Sequence, residues 1–137
     1  MKTKKPKKHG VSYWKTKAWN EFSKYIRRKE CLKYSVGASW GYCYTCGKSK
    51  FFNELQAGHY IPGRRPAYLF DERQVHPQCG YCNGTLKGNW PKYYEKMVEE
   101  YGRELADELK DKKWESRQFK AFELEEIYNK YKSLNKV

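Results

Sequence analysis

The sequence predicts a small α+β domain, stapled by a metal ion and flanked by helices at both ends. Three observations predict it. Helical apolar spacing runs through both ends of the chain but breaks off between residues 35 and 82, where glycines and short apolar pieces take over. Two Cys-x-x-Cys pairs, Cys43 with Cys46 and Cys79 with Cys82, sit in that middle stretch. A chain of 137 residues buries only a modest core, which a metal staple reinforces.

Residues 1–11 read as a flexible basic arm, with five lysines, one proline and one glycine in "MKTKKPKKHG" and a solvated His9 at its end. A single domain spans 12–137. It opens with a helix over 12–34, for which Ser12 is a suitable N-cap. Trp14, Ala18, Phe22 and Ile26 recur at four-residue spacing and make one apolar face, widened by Trp19 and Tyr25. Lys15, Lys17, Lys24, Arg27 and Arg28 populate the other side. Cys31 has no cysteine at short spacing and reads as a small buried side chain or a spare thiol.

The middle segment, 40–102, should begin with a knuckle turn at "CYTCG", then a short strand near 50–57 and a second near His59. "PGRRPAYLFDERQ", with two prolines and three arginines, reads as loop. Asn89 followed by Pro91 marks a helix start, and Tyr94, Met97, Val98 and Tyr101 form a stripe that Gly102 ends. The C-terminal helices occupy 103–137. One covers 103–113 with Leu105 and Leu109. A longer one covers 116–134 with Phe119, Phe122, Ile127, Tyr131 and Leu134.

Charge narrows the function. Twenty-nine Lys and Arg against sixteen Asp and Glu leave +13, a self-repulsion that a polyanionic partner offsets. Nucleic acid is the partner class this favours, because each neutralised phosphate releases counterions. No apolar run is long enough to span a bilayer, and no apolar segment follows the N-terminal lysines as in a secretory signal. The chain is therefore expected in the cytoplasm, where five cysteines favour metal or free thiols over disulfides.

The two cysteine pairs each place two thiolates on one tight turn, and together they complete a closed, structural Zn²⁺ site. The stretch between them is longer than in a compact zinc ribbon and contains "LQAGHYIPGRR", hence His59. With four thiolates available, His59 is not needed at zinc, which leaves a packed core residue or a base. His76, three residues before Cys79, is read as a donor supporting the site or as a DNA contact.

"CYTCG", "LQAGHYIPGRR", "LFDERQVHPQCGYCN" and "GNWPKYY", in that order, resemble the NinG/Rap recombination endonucleases of bacteriophages. Those belong to the wider HNH, or ββα-metal, nucleases. The resemblance covers about Trp40 to Gly102 and sharpens the fold expectation to an HNH-like ββα-metal core. It implies His59 as the general base, Asn83 as ligand of a catalytic Mg²⁺ or Mn²⁺, and Asn89 as a supporting residue that orients the imidazole. The chemistry suits these residue types. A neutral histidine accepts a proton from water, and an amide oxygen suits a hard divalent ion. Because Asn83 directly follows Cys82, the zinc staple would hold it relative to His59.

One position departs from the pattern. Many HNH nucleases carry an acid just before the base, and this chain has Gly58. Either Asn83 is the main protein ligand, with waters and phosphates completing the shell, or Glu54 or Asp71 contributes. Arg64, Arg65, Arg73, His76 and Lys87 are the expected DNA contacts, arginine gripping phosphate through two parallel bonds. Tyr60 and Trp90 are read as packing against the site or stacking on unpaired bases.

The resemblance implies branched recombination intermediates, Holliday junctions and D-loops, as substrate, in a phage protein acting inside a bacterial host. Two symmetric cuts with one site per chain imply a homodimer, with the N- or C-terminal helix as interface. Two other readings stand beside this one. One is an HNH nuclease of homing, restriction or packaging biology. The other is a zinc-stabilised nucleic-acid-binding module without catalysis.

Overall fold

The computed structural model describes residues 8–136, so the first seven residues of the expected basic arm lie outside them. Helix α1 (Val11–Cys31) leads into two antiparallel hairpins. The first pairs β1 (Trp40–Tyr42) with β2 (Ser49–Phe51), and the second pairs β3 (Leu55–His59) with β4 (Val75–Cys79). A π-helical turn over Tyr81–Thr85 follows, then α2 (Trp90–Tyr101), α3 (Arg103–Asp111) and α4 (Ala121–Leu134). The expected α+β class, with short strands between terminal helices, is observed.

α1 buries the face its spacing announces: Ala18, Phe22 and Ile26 are almost fully covered. It stops at Cys31, not Tyr34, and the Cys31 carbonyl accepts bonds from the amides of Tyr34 and Ser35. Cys31 is buried in a small cluster with Ala38 and Leu55, as a packing residue.

α4 lies against α1. Phe22 and Tyr131 meet edge to face at 5.0 Å, the Arg28 guanidinium bonds the Asn135 carbonyl, and the Asn135 amide reaches Glu21 at 2.7 Å. The apolar faces of the two terminal helices are thus spent on each other. α4 begins only at Ala121, where the Lys120 amide donates to Glu123. Its buried positions are Leu124 and Tyr131, while Phe122 and Leu134, expected on the stripe, are exposed.

The expected strand near 50–57 is two strands split by a 3-10 turn at Phe52–Glu54. β1 and β4 were not foreseen as strands. Pro77 in "VHPQC" lowers strand propensity, but this sheet has only two strands, so a missing ladder donor is tolerated. The Pro77 carbonyl instead accepts the Tyr44 amide at 2.8 Å, which ties the first knuckle to β4.

The second core centres on Tyr60, Tyr68, Tyr93, Met97 and Leu109. Asn89 precedes α2 and Pro91 occupies its first turn, as the sequence announces. Gly102, at φ +88, separates α2 from α3, a left-handed conformation that glycine adopts without strain. Among the described residues no helix is long and apolar enough to cross a membrane.

Candidate functional site

The hairpin β3–β4 carries both chemical centres. At one end the four sulfurs of Cys43, Cys46, Cys79 and Cys82 lie within 4.8 Å of one another. Cys46 Sγ and Cys79 Sγ are 3.9 Å apart, close to the edge of about 3.8 Å that a tetrahedral zinc–thiolate site with its usual bond length requires. Burial pushes the Cys43 thiol up, but amides of Cys46, Cys79 and Thr45 and the Thr45 hydroxyl outweigh it and bring it down to about 6. Burial and the neighbouring thiols of Cys43 and Cys82 push Cys46 up to about 12. Four thiolates this close ionise together only with a cation among them. The group fits zinc.

At the other end, β3 presents His59 to a cleft of about 630 Å³. Its walls include Trp19, Ser23 and Arg27 of α1, Gln56 of β3, Arg64, and Asn83 and Lys87 around the π-helical turn. His59 and Asn83, predicted as base and metal ligand, therefore share one cavity. Among the described residues, no acidic side chain lines it.

His59 is 9% exposed and stacks on Trp19 at 5.1 Å. Its Nε2 lies 3.1 Å from the Leu69 carbonyl, which can only accept, so Nε2 carries the proton. Nδ1, with its lone pair, has no hydrogen-bond partner among the described residues. Burial, reinforced by the charge of Arg64, holds the imidazole down to about 4 despite the opposing Leu69 bond. It is neutral at physiological pH, the form a general base needs.

Asn83 sits inside the π-helical turn, where the Leu86 amide reaches back to the Tyr81 carbonyl at 2.9 Å. Such turns recur at functional sites because they aim one side chain out of register. Asn83 Nδ2 donates to Gln56 Oε1 at 2.8 Å, which leaves Oδ1 without a protein partner among the described residues.

Gly58 has a steric reason. A Cβ there would come within 1.8 Å of Gln78 Oε1. Gln78 is fully buried, and its Nε2 donates to Thr45 Oγ1 at 3.1 Å and the Gly88 carbonyl at 2.9 Å. It spans from the cysteine cluster to the cleft rim through the space an acid at 58 would need. The other acids are elsewhere. Glu54 accepts the Phe51 amide, and Asp71 pairs with Arg73 and Lys112.

Other expected residues go to different places. Asn89 makes no hydrogen bond to His59 among the described residues; its Nδ2 lies 3.6 Å from Cys82 Sγ, in the cysteine cluster. His76 is 3% exposed and offers nothing to DNA. It stacks on Tyr44 at 3.8 Å, with Nδ1 on the Tyr93 hydroxyl at 3.0 Å and Nε2 on that of Tyr101 at 3.3 Å. Tyr60 is buried, with its hydroxyl on the Ala106 carbonyl, and Trp90 stacks beside it; Tyr60 has no face left for a base.

Arg64 and Lys87 line the cleft, whereas Arg65 bonds the Lys113 carbonyl outside it and Arg73 is held by Asp71. Arg64, Lys87 and Asn89 all have left-handed backbones, at φ 48, 52 and 49. Each non-glycine residue so held costs about 1–3 kcal/mol, and such strain gathers at ligand sites. Sequence reading missed Trp19, Ser23, Arg27 and Gln56. The basic face of α1 was visible, but nothing local says that the helix folds over the hairpin.

The family profile described as Bacteriophage Lambda NinG protein matches residues 1–137. Among curated relatives, Protein ninG of Escherichia phage 933W is 30% identical over 99 residues, covering 72% of this chain and 45% of that protein. Protein ninG of Salmonella phage P22 is 29% identical over 119 residues, covering 83% of this chain and 54% of that protein. The corresponding protein of Escherichia phage lambda is 28% identical over the same length, with the same coverage. The chain thus spans about half the length of these relatives. No solved structure matches it.

Proposed function

The chain belongs to the NinG family of bacteriophage proteins, and we propose that it works as a metal-dependent DNA endonuclease of the HNH type on branched DNA. The observation that carries this reading is the shared cleft: His59, its Nδ1 unpartnered, opens into the same cavity as the free amide oxygen of Asn83. Around them Arg27, Arg64 and Lys87 supply positive charge for a phosphodiester.

In this reading the Leu69 carbonyl fixes the His59 tautomer, so Nδ1 faces the water that attacks phosphorus. Trp19 and Tyr68 hold the ring plane. Asn83 Oδ1 is the protein oxygen that would hold Mg²⁺ or Mn²⁺. With no carboxylate lining the cleft among the described residues, the donor set would suit a hard ion that relies on phosphate and water for its remaining oxygens. When bound, such an ion neutralises charge on the phosphate and leaving oxygen. The zinc centre acts through position: Cys82 and Asn83 are consecutive, so a rigid sulfur cluster fixes the amide that meets the metal.

The test is cleavage with Mg²⁺ or Mn²⁺ of four-way, D-loop, flap, nicked and linear DNA. Branched substrates should be cut in preference, and His59→Ala should lose about 10²–10⁴-fold in kcat while keeping zinc and fold. Binding without cutting of any substrate would favour the non-catalytic module, and preference for unbranched sites an HNH nuclease of other biology. Two-fold-related cuts on a junction require two copies of the chain, read by light scattering on and off DNA.

A further inference from the structure

Besides Arg64 and Lys87, a third cation, Arg27, lines the cleft. Arg27 is the one residue of α1 that brings a full positive charge into the cavity. Its guanidinium lies over the Phe52 ring at 4.6 Å, and its Nε donates to the Ser23 carbonyl at 3.1 Å. It makes no ion pair with any carboxylate among the described residues, in contrast to Arg73 and Arg117. A half-buried, uncompensated guanidinium is costly unless an anion completes it. Burial lowers its proton affinity, consistent with that cost.

α1 measures the distance from His59. The backbones of Trp19, which stacks on the imidazole, and of Arg27 are eight residues apart on one helix, about 12 Å along its axis, and the Arg27 side chain folds back one turn to Ser23. The guanidinium rests on Phe52 and the imidazole between Trp19 and Tyr68, so the two meet the cleft at different points.

From these observations we propose that Arg27 forms a second phosphate-binding position, gripping a backbone phosphate next along the strand from the one at His59. The proposal rests on reading the cleft as a phosphodiester site. Phe52 and the Ser23 carbonyl hold the guanidinium in place at the cleft wall and use only its Nε, which leaves the Nη fork for a phosphate. α1 thereby acts as a ruler that sets where the strand lies relative to the base. Arg64, exposed and resting on Trp19 at 4.3 Å, would serve the His59 end.

The experiment measures binding in the His59→Ala background, where no cutting interferes. Labelled four-way DNA is titrated over a salt series with His59→Ala and with His59→Ala carrying Arg27→Gln or Arg27→Lys. Zinc content and circular dichroism verify the fold of each. Arg27→Gln should raise Kd about ten-fold and flatten the log–log salt slope by about 0.9, one phosphate contact; Arg27→Lys should restore most of the slope but less of the affinity. DNA with single neutral methylphosphonates, scanned along the strand, should weaken binding at one position with Arg27 and make no further difference there with Gln. In cutting assays the Arg27→Gln defect should fall mainly on KM.

Unchanged Kd and salt slope, or an equal defect at every methylphosphonate, would overturn the assignment. If no substrate is ever cut but the coupling at one phosphate is found, the Arg27 site stands and the nuclease reading fails. If cutting depends on His59 and the coupling is missing, the Arg27 site alone fails.

Discussion

His59 and His76 stand almost opposite each other on one hairpin, with Gly58 paired to His76 and His59 to Val75. Both are buried, and burial pulls both below the ordinary 6.5, to about 4 and about 3. Burial and proton affinity therefore do not tell them apart. Partners do. The Tyr93 hydroxyl donates to the Gly58 carbonyl at 2.7 Å and lies 3.0 Å from His76 Nδ1, while Nε2 lies 3.3 Å from the Tyr101 hydroxyl and 3.5 Å from the Glu100 carboxylate. Both nitrogens of His76 are used. His59 spends one nitrogen on Leu69, and the other has no hydrogen-bond partner among the described residues. The two are linked, because the His76–Tyr93 bond anchors the carbonyl directly before His59. One histidine is structure, and it holds the other in place.

Removing the metal should affect both at once. Chelation of zinc, worth about 10–16 kcal/mol in small zinc folds, should abolish cooperative unfolding of the middle segment and all activity together. Calorimetry with and without chelator reads this; an apo-protein that unfolds like the zinc form would show that the four cysteines are not a metal centre.

Substituting the caged histidine separates the pair. His76→Leu should cost about 1–3 kcal/mol in chemical denaturation by leaving hydroxyls unpaired, while the folded fraction still cleaves. His59→Ala should do the reverse. A His76 variant that is stable but inactive would exchange their roles.

Acid should reveal both through stability. The unfolded chain takes up protons at the ordinary 6.5, before either buried ring does. Stability is then full above 6.5 and falls as pH drops below it. The fall levels off near 4 for His59 and near 3 for His76. At saturating zinc each histidine contributes a slope of up to about 1.4 kcal/mol per pH unit, and His76→Leu should remove half of the total. The same depression keeps kcat/KM level down to pH 5; an acid limb at 6.5 would mean that His59 is solvated.

Local signals carried far in this sequence. The four-residue spacing of Ala18, Phe22 and Ile26, the doubled Cys-x-x-Cys pairs and the Asn89–Pro91 helix start are contained within a turn or two of chain, and each stands where the pattern puts it. What escaped depends on distant partners. Pro77 hides a strand that exists because its sheet stops at two. His76 looks like a surface contact until three tyrosines from elsewhere close over it. Asn89 turns to a cysteine sulfur instead of an imidazole. Arg27 enters the cleft only because α1, fastened by α4, lies over the hairpin.

The contact between Gly58 and Gln78 makes two letters of the sequence, twenty positions apart, a single choice. Any side chain at 58 forces Gln78 to move or to be shortened. A carboxylate ahead of His59 needs residue 78 displaced or shortened, and either change unties Thr45 and Gly88. Laboratory evolution toward a stronger metal grip should therefore arrive through double substitutions, or elsewhere on the cleft wall.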